Sequence, residues 1–290
     1  MVCGVTVTEV VRRLSKPHYA FRPRQLLRRG AASSSIELPW KLPLTYEPTG
    51  FLGQALSRTG VYDLVVSEAL WRLIDAGDHV IDAGANAGYM TSIMAARVGS
   101  RGRVDAFEPH PMTFQRLERN VSRWNAPVVL HNVALADRPG ELPLFTVADD
   151  DQLGQASVEQ REGSSESARV RAARLDDEAV GSASTMKLDV EGAELGVLKG
   201  AERTLAGLVH VIYEDHEPQP SPVTSFLQEA GFVPFVLEEH FLGPKLHRDV
   251  TTERTYGWDA PSLIATRSPR QLLARLRPRG WQCLTSKPAR

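Results

Sequence analysis

Asp82, Gly84, Asn86 and Gly88 stand at alternate positions of HVIDAGANAGYM, residues 79–90. A short apolar strand ends on the acid, a small-residue turn follows, and an apolar helix continues through Ala95, Ala96 and Val98. Glycine has no Cβ, so such a turn can be tight and its backbone can come close to a ligand. The helix behind it offers unpaired N–H groups and the positive end of its dipole. This is the chemistry of a nucleotide-binding corner at the carboxyl end of the first strand of an α/β sheet. The dinucleotide pattern G-x-G-x-x-G fails, because its second and third glycines would fall on Asn86 and Tyr89, and no G-K-[ST] is present for a triphosphate. A Rossmann oxidoreductase is the competing enzyme class, and those two residues argue against it.

Further along, acids close other apolar runs. Glu108 follows the strand Arg103 to Phe107 and lies 24 residues after Gly84. An acid about 20 residues past the glycine turn can accept both hydroxyls of a ribose with one carboxylate. The run Pro127 to Val133 reads as a third strand, and Asn132 near its end is the expected polar neighbour of the adenine. In TMKLDVEGAELGVLKGAERTLA, residues 185–206, a strand ends at Asp189, with Glu191 and Glu194 on the turn and first helical turn behind it. Glu194 suits helix capping; Asp189 and Glu191 are placed to face a cofactor and a substrate. The strand Leu208 to Tyr213 ends in Glu214, Asp215, His216 and Glu217. A histidine beside carboxylates at a strand end can serve as a general base, which makes His216 a candidate. Asp189, Glu191 and Glu214 could in principle hold a divalent cation, but carboxylates at strand ends more often serve cofactors or caps, and no metal is expected.

The elements that must position these groups alternate strand and helix. Leu64, Val65, Ala69, Leu70, Leu73 and Ile74 fall near helical spacing before the glycine turn, and that helix would bring Tyr62 and Asp63 to the mouth of the site. Pro111 to Trp124 reads as a helix, Gly140 to Val147 as a hairpin strand and Val170 to Leu175 as a strand, with a helix starting at Asp176 and Asp177. Pro222 to Ala230 is a helix, Phe232 to Leu237 the sixth strand and Ser262 to Ala265 the last. Ile36 to Gly53 reads as extended segments and turns that lead into the domain or cover it. Ala148 to Ala168, acidic and rich in Ser and Gly, reads as a mobile loop beside the site, and Glu238 to Trp258 as a long polar and aromatic loop. These three pieces would form the substrate rim.

The runs VIDAGANAGYMT, FEPHP, NVALAD, MKLDVEGAELGVLKGA and VIYEDHE, in this order and spacing, resemble the FkbM family of S-adenosylmethionine-dependent methyltransferases from about Gly60 to about Leu237. The D-V-E-G-A-E stretch is the most specific part. The resemblance implies a class I methyltransferase, an α/β Rossmann-like fold with a seven-stranded, mostly parallel sheet, helices on both faces and the last strand antiparallel. It implies S-adenosyl-L-methionine as cofactor, contacted by Asp82, Gly84, Asn86, Gly88 and Glu108, with Asp189 and Glu191 near the transferred methyl. It also implies transfer to a hydroxyl oxygen of a small molecule of secondary-metabolite, sugar or polyketide type. The family's usual Tyr-Glu before the first helix is Tyr62-Asp63 here. A methyltransferase acting on protein or RNA, or a non-catalytic cofactor-binding protein, are the alternatives.

The chain has 290 residues, ample for a buried core, and its net charge of −1 is unevenly spread. Met1 to Gly30 carries seven basic residues against Glu9 alone, and Arg267 to Arg290 carries seven basic residues and no acid. The middle is therefore acidic. Basic flanks can bind nucleic acid or membrane, but few aromatics interleave with the arginines, so nucleic acid is not expected and solvated termini are. The organisation expected is a basic arm and lead-in over 1–59, the methyltransferase domain over 60–266 and a basic tail over 267–290. No run approaches a membrane span. The two cysteines, Cys3 and Cys283, form neither a disulfide framework nor a ligand cluster, which suits a reducing, cytoplasmic setting. An Arg-rich, nearly acid-free start followed by Ser33 to Ser35 leaves an organelle transit segment as the alternative. The oligomeric state is left open.

Overall fold

The computed structural model describes residues 34–147, 157, 163–178, 180–215, 217, 219–248 and 262–285. The chain begins with a two-stranded hairpin, β1 (Ser35–Glu37) and β2 (Pro43–Thr45), followed by helices α1 (Phe51–Thr59) and α2 (Leu64–Leu73). Strand β3 (His79–Ala83) leads through the glycine turn into α3 (Tyr89–Val98), β4 (Arg103–Phe107) into α4 (Pro111–Val121), and then β5 (Val128–His131) follows. A side sheet holds β6 (Ala134–Leu135), β7 (Gly140–Val147) and β8 (Ser164–Ala173). The main sheet resumes with β9 (Thr185–Leu188), followed by helices α5 (Glu194–Lys199) and α6 (Glu202–Gly207). Next come β10 (His210–Glu214), α7 (Pro222–Glu229), β11 (Val233–His240), β12 (Gly243–His247), β13 (Ser262–Thr266) and α8 (Pro269–Arg275).

The main sheet has the order β12-β11-β13-β10-β9-β3-β4-β5. Pairings from β5 through β4, β3 and β9 to β10 are parallel, and β13 runs antiparallel between β10 and β11. This is the Rossmann-like class I methyltransferase order, with β12 added as an eighth, antiparallel strand on β11. Alternate residues of each strand point to opposite faces. Val80, Val104, Ile212 and Ile264 pack with α2 and α3 on one face; Ile81, Phe107, Met186, Leu188, Val211 and Leu263 pack with the α5 to α7 side on the other. Two apolar faces are what a central parallel sheet requires. Because the parallel strands share one direction, the carboxyl ends of β3, β4, β9 and β10 meet at one edge. Among the described residues no helix is long and apolar enough to cross a membrane.

Several sequence expectations change. The lead-in before Gly60 covers the domain by packing into its core: Trp40 packs edge-on against Tyr89 and donates from Nε1 to Ser92 Oγ at 2.9 Å, Leu44 and Tyr46 are buried, and the turns expected up to Gly53 give way to α1 from Phe51. Asn120 clamps this hairpin, exchanging hydrogen bonds with Thr45 N and O while its Nδ2 also donates to the Ala87 carbonyl, each at 2.8 Å. Ser164 to Ala168, read as part of a loop, belongs to β8, which pairs with β7 from Ser164 to Ala172 around one register shift. One face of β8 is solvated, so its Ser and Glu residues hide the alternation that buries Val170 and Ala172. The loop expected from Glu238 is a hairpin, with β11 running on to His240 and returning as β12. Asp176 and Asp177 lie in a short 3-10 turn, and the Asp176 carboxylate caps α6 from outside by accepting from Arg203 N and Thr204 N.

The expectation of a solvated tail after Arg267 is corrected as far as residue 285. Leu272, Leu276, Trp281 and Cys283 are buried with α2. Glu68 and Arg72, one turn apart on α2, form a fully buried ion pair at 2.5 Å. Glu68 also accepts from the backbone N–H of Gln282 and Cys283, and Arg72 donates to the carbonyls of Arg275, Arg277 and Gly280. Two of the tail's own arginines, Arg267 and Arg275, are used in the same way. Arg267 donates to the carbonyls of Ala206 and Ala230, at the ends of α6 and α7, where a cation suits the helix dipole. The basic run of Met1 to Gly30 lies outside the described residues.

Candidate active site

The glycine turn takes the backbone shape its residues permit. Gly84, Asn86 and Gly88 all have positive φ, at 84°, 49° and 94°; glycine adopts this region freely and asparagine tolerates it. At Gly84 the freedom is needed twice over, because a Cβ there would lie 1.8 Å from the Asp189 carbonyl oxygen. At Gly88 a Cβ would press on Leu117 and Trp124. Hydrogen bonds from Gly84 N and Ala85 N to Phe107 O, and from Asp189 N to Ala83 O, tie the turn to the ends of β4 and β9. Gly88 precedes α3 without a side-chain cap, so the first turn of that helix points its N–H groups toward the edge.

Glu108 is bound into this corner. One carboxylate oxygen accepts from Asn86 N and the other from His110 N, both at 2.9 Å. Burial pushes this carboxyl up to about 7, although the His110 and Asn86 N–H groups and Lys187 pull the other way. Asn132 is exposed; its amide nitrogen donates to the carbonyls of Glu108 and Pro109 at 2.8 and 3.0 Å, so it braces the backbone that carries Glu108.

Lys187 stands between the turn and the acids. It is buried on β9 in register with Asp82 on β3. Its ammonium donates to Asp189 at 2.9 Å and to the Gly84 carbonyl at 3.2 Å, and lies 3.9 Å from Asp82 Oδ1. That oxygen is buried without a hydrogen-bond partner, while Oδ2 accepts from Thr91 Oγ1 at 2.6 Å. Burial alone would lower the lysine; the charges of Asp189 and Asp82 outweigh it and hold the ammonium above its ordinary range.

Around this pair the site is acidic. Glu214, at the end of β10, is pushed up to about 9 by burial and by the nearby charges of Asp189 and Asp63. Asp63 caps α2 by accepting from Val66 N, has a positive φ of 37°, and is pushed up to about 7 by burial first, with Glu239 and Asp189 adding to it. Glu191 has a positive φ of 54°, and its carbonyl accepts from Ser157 Oγ at 2.8 Å, so Ser157 reaches this edge. Glu194 caps the turn, accepting from Val190 N and Gly192 N. Among the described residues no three His, Cys, Asp or Glu side chains converge as a metal-holding group.

The structure thus brings Asp82, Gly84, Asn86, Gly88, Glu108, Asp189 and Glu191 to one edge. His216 lies outside the described residues. Sequence reasoning missed Lys187 and gave Glu214 and Asp63 no firm role. A usable signal existed: a lysine inside the apolar strand Thr185–Leu188 is almost never buried unless paired.

The donor set fits S-adenosylmethionine. An unpartnered buried carboxylate oxygen and several half-buried acids suit a sulfonium and an ammonium, an open helix N-terminus suits a carboxylate, and Glu108 is placed at the end of the second parallel strand for a ribose.

Comparison with known proteins identifies the family. The model of the methyltransferase FkbM domain matches residues 82–234. The hexuronic acid methyltransferase AglP of Haloferax volcanii is 33% identical over 155 residues, covering 53% of this chain and 62% of that protein. The methyltransferase sdnD of Sordaria araneosa is 28% identical over 189 residues, covering 53% of this chain and 73% of that one. The chain therefore spans about three fifths of AglP's length. Among solved structures, methyltransferase FkbM from Methylobacillus flagellatus is similar at 16% identity with a TM-score of 0.42, over 65% of this chain and 43% of that one. The glycine turn, Glu108 and the Lys187–Asp189 pair all fall inside the matched span, and the chain belongs to the FkbM methyltransferase family.

Proposed function

We propose that this protein is an S-adenosylmethionine-dependent methyltransferase that transfers the methyl group to a hydroxyl oxygen of a small molecule. The observation that carries the reading is the bond between Glu108 and Asn86 N at 2.9 Å, which joins the ribose-type acid to the glycine turn in one rigid corner. Asp82, Gly84, Asn86 and Gly88 would line the cofactor, Glu108 would take the ribose hydroxyls, and Asn132 would hold Glu108 in place beside the adenine. The bound cofactor supplies an activated methyl on a positively charged sulfur. Transfer of that methyl is an in-line displacement, so the protein contributes chiefly alignment and exclusion of water. Lys187 keeps Asp82 and Asp189 from repelling each other and fixes Asp189 by a 2.9 Å bond. Asp189, Glu191 and His216 are the groups proposed to contact and orient the acceptor.

The acceptor class draws support from relatives: AglP is named for a hexuronic acid, a hydroxylated sugar acid. The rim made by the start of α2, Ser157 and the carboxyl end of β11 is where a family of shared chemistry would vary its acceptor.

Calorimetric titration with S-adenosylmethionine and S-adenosylhomocysteine tests the reading. The wild type should bind both, and Glu108→Ala should weaken both by about 10-fold or more, as expected when a charged group loses two hydrogen bonds. A folded wild type that binds neither ligand would overturn the methyltransferase reading, and nicotinamide cofactors would be titrated next. Binding would justify a screen of sugars, sugar acids and hydroxylated metabolites as acceptors.

A further inference from the structure

Glu214 ends β10, one strand from β9 and two from the glycine turn on β3, and it is half-buried at the shared carboxyl edge. The charged groups that face it come from three directions: Asp189 and Lys187 from the end of β9, Glu191 from the turn behind it, and Asp63 from the start of α2, with Tyr62 beside that aspartate. Three of these are carboxylates. The one cation among them, Lys187, is already engaged with Asp189 and the Gly84 carbonyl. Beyond the ladder that joins its backbone to Ser262, the Glu214 carboxyl has no hydrogen bond or ion pair among the described residues. A carboxyl so placed keeps its proton for want of a counter-charge. A new positive charge arriving at this edge would strip that proton, and discharging the charge would restore the group's appetite for one.

A methyl transfer from a sulfonium does both in sequence. Resting on the function proposed above, we propose that Glu214 is the proton acceptor of the transfer step: it loses its proton to solvent when the sulfonium binds and takes one from the acceptor when transfer removes that charge. The carbon–sulfur bond breaks with its electron pair left on sulfur, and the acceptor oxygen supplies the pair for the new carbon–oxygen bond. The proton of that hydroxyl passes to the Glu214 carboxylate. The products are a neutral thioether, a neutral ether and a neutral carboxyl. The group thus holds its proton before cofactor binding, is a carboxylate while the sulfonium is bound, and regains its affinity for a proton as transfer discharges the sulfur.

The test compares the two ligands by proton count. Calorimetry near pH 8, in two buffers of different ionisation enthalpy, measures protons released on binding to the full chain. At that pH Glu108 and Asp63, each about 7, are largely ionised already, whereas Glu214 at about 9 still holds its proton. S-adenosylmethionine should release roughly 0.5 to 1 proton more than S-adenosylhomocysteine, which lacks the sulfonium charge. Glu214→Gln should abolish this excess while binding S-adenosylhomocysteine as the wild type does, which also certifies its fold. Equal release by the two ligands in the wild type would overturn the proposal, with no variant needed. So would an excess that survives in Glu214→Gln or Glu214→Ala. Failure of both ligands to bind the folded wild type would instead overturn the methyltransferase reading on which the proposal rests.

Discussion

Lys187 is the residue on which the local electrostatics turn. Its ammonium lies within 4 Å of both Asp82 Oδ1 and Asp189, and burying one carboxylate without it would leave a charge with neither water nor partner. Removing one member of a buried pair costs about 3 to 5 kcal/mol, so Lys187→Met should destabilise the ligand-free protein by that order in denaturant unfolding. Because the penalty belongs to the orphaned carboxylates, adding Asp82→Asn should recover part of it, at least about 1 kcal/mol. Additive losses in the double variant would mean that the lysine acts through packing alone. The glycine-turn residues and Glu108 were legible in the sequence because their roles are local: a positive φ at Gly84 and Gly88 and an acid closing the next strand are written in residue type and spacing. Lys187 was not, since its partner Asp82 is distant in sequence and reaches it only through strand register. Glu214 gave a similar difficulty. An acid at a strand end looks like a surface group until Asp63, from a different element, is folded over it.

Helix α2 shows how composition misleads at the scale of an element. Its apolar spacing was readable, and the helix is there. The charged residues on it, Glu68 and Arg72, stand one turn apart, and both are buried and receive the chain after Arg267. The tail itself looked solvated because of its arginines, but Leu272, Leu276, Trp281 and Cys283 are buried, and Arg267 and Arg275 donate to carbonyl oxygens of the domain. Strand β8 was obscured for a related reason, with serine and glutamate on its wet face masking a period of two. The central strands were readable one by one, since each is a short apolar run ended by an acid or a turn, but their order in the sheet is a matter of tertiary pairing. Glu68→Gln should lower stability by about 3 kcal/mol and should do so chiefly by loosening the tail, because it removes the charge that Arg72 and two backbone N–H groups share. Hydrogen exchange that speeds up at Gln282 and Cys283 before the rest of the core would bear this out; uniform exchange would show that the tail is held by its apolar side chains alone.

For the whole molecule, the buried titrating groups set two limbs of stability. His210 is buried with Nδ1 unpartnered, and burial, aided by the charge of Arg275, lowers it to about 4. The unfolded chain takes up a proton near 6.5, so stability falls as pH drops from about 6.5 toward 4. Asp105 adds to the acid limb lower down: burial opposes its charge, but hydrogen bonds from His131, His79 and Arg103 hold it well below the usual carboxylate range, and that stabilisation is lost as pH falls below about 4. Glu214 acts oppositely. With a folded value of about 9, it binds a proton more tightly in the native state, so the ligand-free protein loses stability as pH rises from about 4.5 to 9. Thermal or urea unfolding across this range should show a dome. His210→Phe should flatten its acid side between pH 6.5 and 4, and saturating S-adenosylmethionine should raise its alkaline side. A ligand-free profile that is level from pH 5 to 9 would contradict the assignment of these groups.

The bonds that join Glu68 to Gln282 and Cys283 also set a delay. They connect residues 214 and 215 positions apart. A ribosome adding about 5 to 20 residues per second needs roughly 10 to 40 seconds to make the intervening chain. Throughout that interval the newly made α2 carries a glutamate whose backbone partners do not yet exist. The sheet strands between can pair as they emerge, but the face built on α2 is completed only when the last stretch arrives. Synthesis rate, and whatever shields that face in the meantime, therefore help to decide how much of this protein reaches its native state.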